Sequence, residues 1–276
     1  MACFHPWVKE DHRTGSRVRL PCGKCDGCVG KRAREWAVRA MHEASLHEDN
    51  CLVTLTYDDD HLPFYGTLDR EAFPLFARRL RKRFAKPRYL MCGEYGEDNG
   101  RPHYHACLFG VDFPDKVQVG VRGEYPVWRS GLLEKLWPLG FSEVGTLTYE
   151  SAQYVARYVL KKRKNSAVEY SRVAMDTGEV FDVEPEYATM SRRPGLGKGW
   201  IEKWKSEVFP SDEVLVNGKL MKPPRYYESQ APADVLAEVK RKRLLAVDAA
   251  EGSAKRLQVR EVCAAARLNL HRREVK

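Results

Sequence analysis

Two β-forming runs, Arg88–Glu94 and His103–Phe109, flank the stretch Gly96-Glu97-Asp98-Asn99-Gly100-Arg101-Pro102. Gly, Asn, Asp and Pro are the residues that tight turns demand, and Pro102 suits a strand start. The pattern predicts an antiparallel hairpin. Side chains at i and i+2 of a strand share a face, so His103 and His105 can meet one ion. Glu94, beside the turn on the adjoining strand, can add a carboxylate. Glu97 competes for that role but sits in the turn itself. Two imidazoles and a carboxylate form an open set that suits Mn²⁺, and Mg²⁺ less strongly because it prefers oxygen ligands. The open positions leave room for a phosphate oxygen.

Upstream, Cys51-Leu52-Val53-Thr54-Leu55-Thr56-Tyr57 is β-branched and alternating and predicts another strand. Residues 30–48 lack Pro and read as a helix. Residues 69–86 read as an amphipathic helix, with Phe73, Phe76, Leu80 and Phe84 on one face and Arg78, Arg79, Arg81, Lys82 and Arg83 between them. Residues 146–164 predict a short strand and then a helix. From 166 to 230 the chain is rich in Gly, Pro and charge and reads as irregular. The final segment, 231–276, is Ala-rich, helix-prone and basic, with eleven Lys/Arg against six Asp/Glu. The expected division is therefore a Cys-rich segment and helix at 1–48, a core at 49–165, an irregular extension at 166–230 and a basic helical tail at 231–276.

In the predicted helix at the end of the core, Tyr154 and Tyr158 stand four residues apart. That spacing puts both phenols on one face, ~6 Å apart along the axis. Two aromatics at helical spacing are usually core, but Val155, Val159 and Leu160 can supply the buried face here. Lys161, Lys162, Arg163 and Lys164 follow and form a cationic end suited to phosphates. A phenol has a pKa near 10, so reaching the phenolate at pH 7 costs about 4 kcal/mol. A metal polarising a scissile phosphate offsets much of that cost, and Lys161 or Lys162 can stabilise the phenolate.

The eight cysteines include a tight group, Cys22-x-x-Cys25-x-x-Cys28, and Cys3 could complete a Cys₄ zinc site. Gly23 and Gly27 permit the turns of such a loop. His5 is an alternative fourth ligand, and the same spacing also occurs in iron–sulfur proteins. Clustering of this kind points to a reducing compartment. No apolar run approaches a membrane span and the first residues lack a signal-peptide layout, so the expected location is a bacterial host cytoplasm, with no membrane partner. The net charge of +9 and pI near 9.1 attract polyanions, nucleic acid first among them. Gly195-Leu196-Gly197-Lys198-Gly199 has the wrong spacing for a phosphate-binding loop, so no helicase or ATPase motor is expected.

Three ordered motifs resemble those of a known family. They are Cys51–Tyr57; Cys92-Gly93-Glu94-Tyr95-Gly96 with Arg101-Pro102-His103-Tyr104-His105; and Tyr154-Val155-Ala156-Arg157-Tyr158-Val159. Pro21–Cys28, with Trp36 and Arg39, fits the same pattern. The chain resembles the replication initiators of microviruses, small single-stranded DNA phages, most closely the gokushovirus branch, over about residues 3–164. That family belongs to the HUH endonucleases, named for His-hydrophobic-His, with Tyr104 filling the middle position here. The resemblance implies an α+β fold with a central antiparallel sheet flanked by helices, a Cys-rich N-terminal segment and a helical C-terminal extension. It implies His103 and His105 as ligands of Mn²⁺ or Mg²⁺, with Glu94 the least secure third, and Tyr154 and Tyr158 as nucleophiles. The activity implied is nicking and rejoining of single-stranded or supercoiled origin DNA through a 5′-phosphotyrosine, in rolling-circle replication. Arg79, Arg83, Arg101, Arg157 and Lys164 are the basic residues assigned to DNA. Host helicase and polymerase are the expected partners.

Two other readings compete. A non-catalytic, zinc-containing DNA-binding regulator accounts for the charge and the cysteines, but not for His103, His105 and the tyrosine pair. A relaxase or transposase of the HUH class shares the chemistry, but relaxases usually carry the tyrosine before the histidines.

Overall fold

The computed structural model describes residues 3–10, 15, 17–96, 99–161, 170–173, 177–246 and 252–274, with the side chains of 158–161 and 268–274 outside the description. In chain order the elements are β1 (Trp7–Glu10), β2 (Arg17–Leu20), α1 (Asp26–Ala44), β3 (Asn50–Tyr57), α2 (Ala72–Arg83), β4 (Arg88–Tyr95), β5 (Pro102–Phe109), β6 (Val117–Arg122), β7 (Tyr125–Arg129), α3 (Gly131–Leu136), β8 (Gly140–Gly145) and α4 (Tyr149–Lys161). They continue as β9 (Ser171–Val173), β10 (Val180–Asp182), β11 (Tyr187–Met190), α5 (Lys198–Ser211), β12 (Val214–Val216), β13 (Lys219–Met221), α6 (Arg225–Glu228), α7 (Ala233–Leu245) and α8 (Ala254–Glu274). No helix among the described residues is long and apolar enough to cross a membrane.

Seven strands form one antiparallel sheet in the order β11-β4-β5-β3-β8-β7-β6. Both faces of its centre are covered, and strand alternation sorts the side chains between them. Val53, Leu55, Tyr57, Met91, Tyr104, Ala106 and Leu108 pack with Phe73, Phe76 and Leu80 of α2 and Leu133 of α3. Leu90, Cys92, Cys107 and Phe109 face the other way, against Ala37, Ala40 and Ala44 of α1 and Ala152 and Val155 of α4. The small residues on these two helices let them lie close to the sheet and to each other; Ala33 meets Ala156 at their crossing.

Two predicted helices keep their place with shifted ends. α1 starts at Asp26 rather than 30, because extended Cys25 caps it. α2 is shorter than 69–86 and closes where Phe84 turns extended. The hairpin forms as β4 and β5. Residues 110–145 add three strands and a helix that no periodicity announced; every residue of β6 is exposed, so its composition carries no buried stripe.

The stretch 166–230, read as irregular, carries β9–β13, α5 and α6. The strands there are only three or four residues long, too short to register as a period. β11 joins the main sheet at its edge, and α5, β12 and α6 pack on the outer side of α1. A polar clamp fastens this layer. Buried Glu43 accepts from Gly197 N (2.7 Å) and pairs with Arg88, while Arg39 Nε donates to the Leu196 carbonyl (3.0 Å). The Arg39 guanidinium lies between the rings of Trp36 and Tyr226, 4.1 and 3.9 Å from their centroids. The glycine-rich run at 195–199 is therefore a packing junction. A Cβ on Gly197 would stand 2.5 Å from the Tyr227 hydroxyl, and its φ is +74°. The basic tail is docked as well, since Arg243 of α7 binds Asp212 (2.6 and 2.8 Å) and Glu228 (2.5 Å).

Gly197 and Gly178 share a left-handed backbone (φ +74° and +72°), but only Gly197 lacks room for a side chain. Gly178→Ala should cost about 1–2 kcal/mol from backbone strain alone. Gly197→Ala should cost about 1–3 kcal/mol more, as overpacking. Urea midpoints of the two variants measure the difference.

Candidate functional site

The β4–β5 register sets Glu94 directly opposite His103, and Cys92 opposite His105. On the other side of β5, Thr54 of β3 stands opposite His105. Alternation therefore gathers Glu94, His103, His105 and Thr54 on one face, beneath α4. Tyr104, between the histidines, points the opposite way and is fully buried. Its hydroxyl donates to the Asp69 carbonyl (2.6 Å) and meets the Tyr57 hydroxyl (2.9 Å).

Three side chains converge on one oxygen of Glu94, a residue only 1% exposed. His103 Nε2 lies 3.0 Å from Oε1, His105 Nε2 lies 2.9 Å from it, and the Tyr154 hydroxyl donates to it at 2.7 Å. The far nitrogen of each ring is held too. His103 Nδ1 donates to the Arg101 carbonyl (3.1 Å), and His105 Nδ1 bonds Thr54 Oγ1 (3.0 Å). Such partners set ring orientation and leave both Nε2 atoms aimed at a common point, as metal-binding imidazoles require. The Tyr154 ring stands edge-on to His105, centroids 5.4 Å apart, and is 42% exposed. Thr148 and Ser151 start α4 with reciprocal side-chain-to-backbone bonds (2.9 and 3.1 Å).

Glu94, His103 and His105 could together hold a metal ion. The donor set is one carboxylate and two oriented imidazoles, which fits a divalent cation with open positions. Burial works against charge on His103, but the Glu94 carboxylate and the Arg101 carbonyl outweigh it and raise its pKa above 6.5.

The second cluster is Cys3, Cys22, Cys25 and Cys28, whose sulfurs lie within 4.8 Å of one another. Four sulfurs around one zinc sit about 3.8 Å apart, and those of Cys3 and Cys25 are 3.9 Å apart. Backbone N–H groups already donate to them: Cys22 N to Cys3 Sγ (3.2 Å), Phe4 N to Cys25 Sγ (3.3 Å), and Lys24 and Cys25 N to Cys22 Sγ (3.4 Å each). Burial pushes Cys22 up, but these donors outweigh it and hold its thiol at about 6. Burial drives Cys28 to about 12 and also raises Cys3. Ionising all four thiols in this buried place calls for a cation, and the donor set fits zinc. Gly23 makes the turn at φ +76°, whereas Gly27 lies inside α1. His5 pairs with Glu261 of α8 (2.8 Å).

The remaining predicted site residues scatter. Arg157 is exposed on α4, one turn from Tyr154. Tyr158 and Lys161 fall in the last turn of α4, with side chains outside the description; Glu97, Lys162 and Lys164 lie outside the described residues. The Arg101 guanidinium bonds the Tyr57 carbonyl (2.9 Å) and pairs with Asp59. Arg79 and Arg83 are on α2, across the sheet from Glu94, and Arg79 donates to the Leu136 carbonyl (3.2 Å). The structure does not bring these two to the cluster; charges between the apolar positions of an amphipathic helix line its outer face. Sequence reasoning missed Thr54 and the Arg101 carbonyl as supports. The Thr54–His105 pairing was readable only once the β3–β5 register was known.

A side chain with a raised pKa in the folded state stabilises fully below its unfolded value and loses that contribution as pH rises through the folded value. An ion at the same site must displace that proton, so its contribution grows with pH. The melting temperature in Mn²⁺ minus that in EDTA should therefore widen between about pH 6 and pH 8, and His103→Ala should flatten it. For the thiol cluster, Cys25→Ser should lose bound zinc by elemental analysis and melt at lower temperature, since a structural zinc contributes folding free energy.

Residues 50–163 match the family of replication-associated proteins typified by ORF2. The chain is 36% identical over 221 residues to replication-associated protein VP4 of Bdellovibrio phage phiMH2K. It is 33% identical over 225 residues to replication-associated protein ORF2 of Spiroplasma virus 4. Each match covers 76% of this chain and 66% of the relative, so the chain spans just under two thirds of the length of those proteins. A match to replication-associated protein ORF4 of Chlamydia phage 1 is 39% identical over 153 residues, 52% of this chain and 38% of that protein. No solved structure matches the chain. The chain belongs to the replication-associated proteins of microviruses.

Proposed function

We propose that this protein is a replication initiator of the HUH endonuclease class, which nicks and rejoins single-stranded origin DNA by tyrosine attack. The observation that carries the reading is the convergence of His103, His105 and Tyr154 on one buried oxygen of Glu94. A phenol stands beside a metal-ligating set, on a helix exposed to solvent. A non-catalytic regulator has no use for that arrangement.

His103, His105 and Glu94 would hold Mn²⁺ or Mg²⁺, and the bound ion would polarise a scissile phosphate. The Tyr154 oxygen attacks phosphorus, forming a 5′-phosphotyrosine and breaking the bond to the 3′ oxygen, which leaves as a 3′-OH. Glu94, already the acceptor of the phenolic hydrogen, is positioned for the departing proton. Thr54 and the Arg101 carbonyl keep the imidazoles oriented. Tyr158, one helical turn on, is the second nucleophile: it cuts a regenerated origin while Tyr154 is occupied, and the freed 3′-OH then closes the circle. Lys161 and Lys162 stabilise phenolate and phosphate, and Arg157 and Lys164 contact the backbone. Zinc at the four cysteines is structural. The protein acts in the host cytoplasm, with a host helicase and polymerase supplying unwinding and synthesis.

Single-stranded fragments tiled across the phage genome, incubated with the protein and Mn²⁺, should yield a covalent adduct on a denaturing gel. His103→Ala or His105→Ala should lower its yield by about 10²–10³-fold, the worth of several kcal/mol of charge stabilisation. DNA affinity should change far less, because phosphate contacts supply most of it. The Tyr154→Phe, Tyr158→Phe double variant should form no adduct. At least one single variant should form the first adduct yet fail to release closed circles over repeated rounds. Full circle production from one tyrosine alone would refute the alternating mechanism, and no adduct from any fragment would refute the enzyme.

A further inference from the structure

β11 pairs with β4 through Tyr187↔Gly93 and Ala188↔Cys92, and the same register carries back to Glu186 opposite Glu94. Tyr187 faces the α2 side, whereas Ala188 and Met190 face α1 and α4. Alternation therefore puts Glu186 on the Glu94 side. It is 7% exposed, and its Oε1 accepts from Tyr95 N (3.4 Å). Its charge reaches His103 and Cys92 and helps to raise both. The chemistry above leaves this second buried carboxylate without a role.

We propose that Glu186 is a positioning residue of the divalent-cation centre, holding the ion through a coordinated water and favouring Mn²⁺ or Mg²⁺ over zinc. This rests on the metal centre proposed at Glu94, His103 and His105. Directly opposed residues of an antiparallel pair have Cβ atoms about 4.5–5.5 Å apart, a span that an ion and one of its waters can bridge. Two carboxylates side by side in a buried place repel, and a cation near both relieves the repulsion. Two imidazoles and one carboxylate serve zinc as readily as manganese. A further carboxylate tips the balance towards hard ions, which keep their waters and need acceptors for them. The residue comes from a short C-terminal strand, so docking of β11 completes a centre whose other ligands come from one hairpin.

The test titrates Mn²⁺ calorimetrically into the full chain with its cysteine cluster already filled with zinc. Glu186→Gln keeps an acceptor for Tyr95 N and should weaken Mn²⁺ binding about 10–100-fold, as loss of an outer partner does. Zinc affinity at the Glu94 centre should fall less, so the Mn²⁺/Zn²⁺ preference shifts. Glu186→Asp should restore part of the Mn²⁺ affinity. The melting temperature without added Mn²⁺ should stay at the wild-type value. Wild-type Mn²⁺ affinity in Glu186→Gln would overturn this inference and leave the centre standing. A parallel loss of Mn²⁺ and zinc affinity, or a lowered melting temperature without Mn²⁺, would make Glu186 merely structural. Absence of Mn²⁺ binding in the wild-type protein would overturn the centre and the inference together.

Discussion

Strand β5 has no solvent side, and most of the functional end depends on that. His103, His105, Cys107 and Phe109 face α1 and α4, while Tyr104, Ala106 and Leu108 face α2. A slip of one residue would send every one of these to the wrong layer. Tyr104 guards against such a slip, because its hydroxyl finds its acceptors only in the α2 layer, at Asp69 and Tyr57. The middle residue of the His-x-His motif thus anchors the register that aims its two neighbours. Gly93 belongs to the same anchor: a Cβ there would stand 3.0–3.2 Å from Tyr187, Leu68 and Tyr104.

A buried carboxylate is costly unless donors surround it. Glu94 has three at one oxygen, and two of those donors are in turn fixed by Thr54 and Arg101. The third, Tyr154, is fixed by the seat of α4. That helix rests through Ala152, Val155 and Ala156 on the sheet and on α1, and α1 begins at the cysteine cluster. Contiguous packing therefore runs from the four thiols along α1 to the tyrosine helix. On its other side α1 carries the C-terminal layer, through Arg39 and Glu43. One helix with three partners explains why so few of its residues are polar on the inner faces, and why those few are all bonded across elements.

Legibility followed periodicity. β3 alternates over eight residues, the hairpin carries turn chemistry between two such runs, and α4 and α2 have apolar residues at helical spacing. Each buries a stripe, and a stripe is what a pattern can reveal. β6 buries nothing, and β11 is four residues long and buried by others rather than by its own alternation. Gly195–Gly199 was readable as a failed phosphate loop, but its role in seating Tyr226 and Tyr227 depends on residues thirty positions away.

The order of residues alone determined the two ligand clusters. Their members are local: His103 and His105 two apart, Glu94 across one turn, Cys22, Cys25 and Cys28 at helical-turn spacing. Local geometry brings such residues together wherever the chain forms a hairpin or a helix start. Only the tertiary structure decided what meets them. Tyr154 reaches Glu94 because α4 crosses the sheet there, Cys3 joins the other thiols across nineteen residues, and Glu186 enters beside Glu94 from a separate strand. Arg79 and Arg83 were turned the other way by the same sheet. Closure of long loops is driven by burial over the whole core, and no short window of sequence contains that sum.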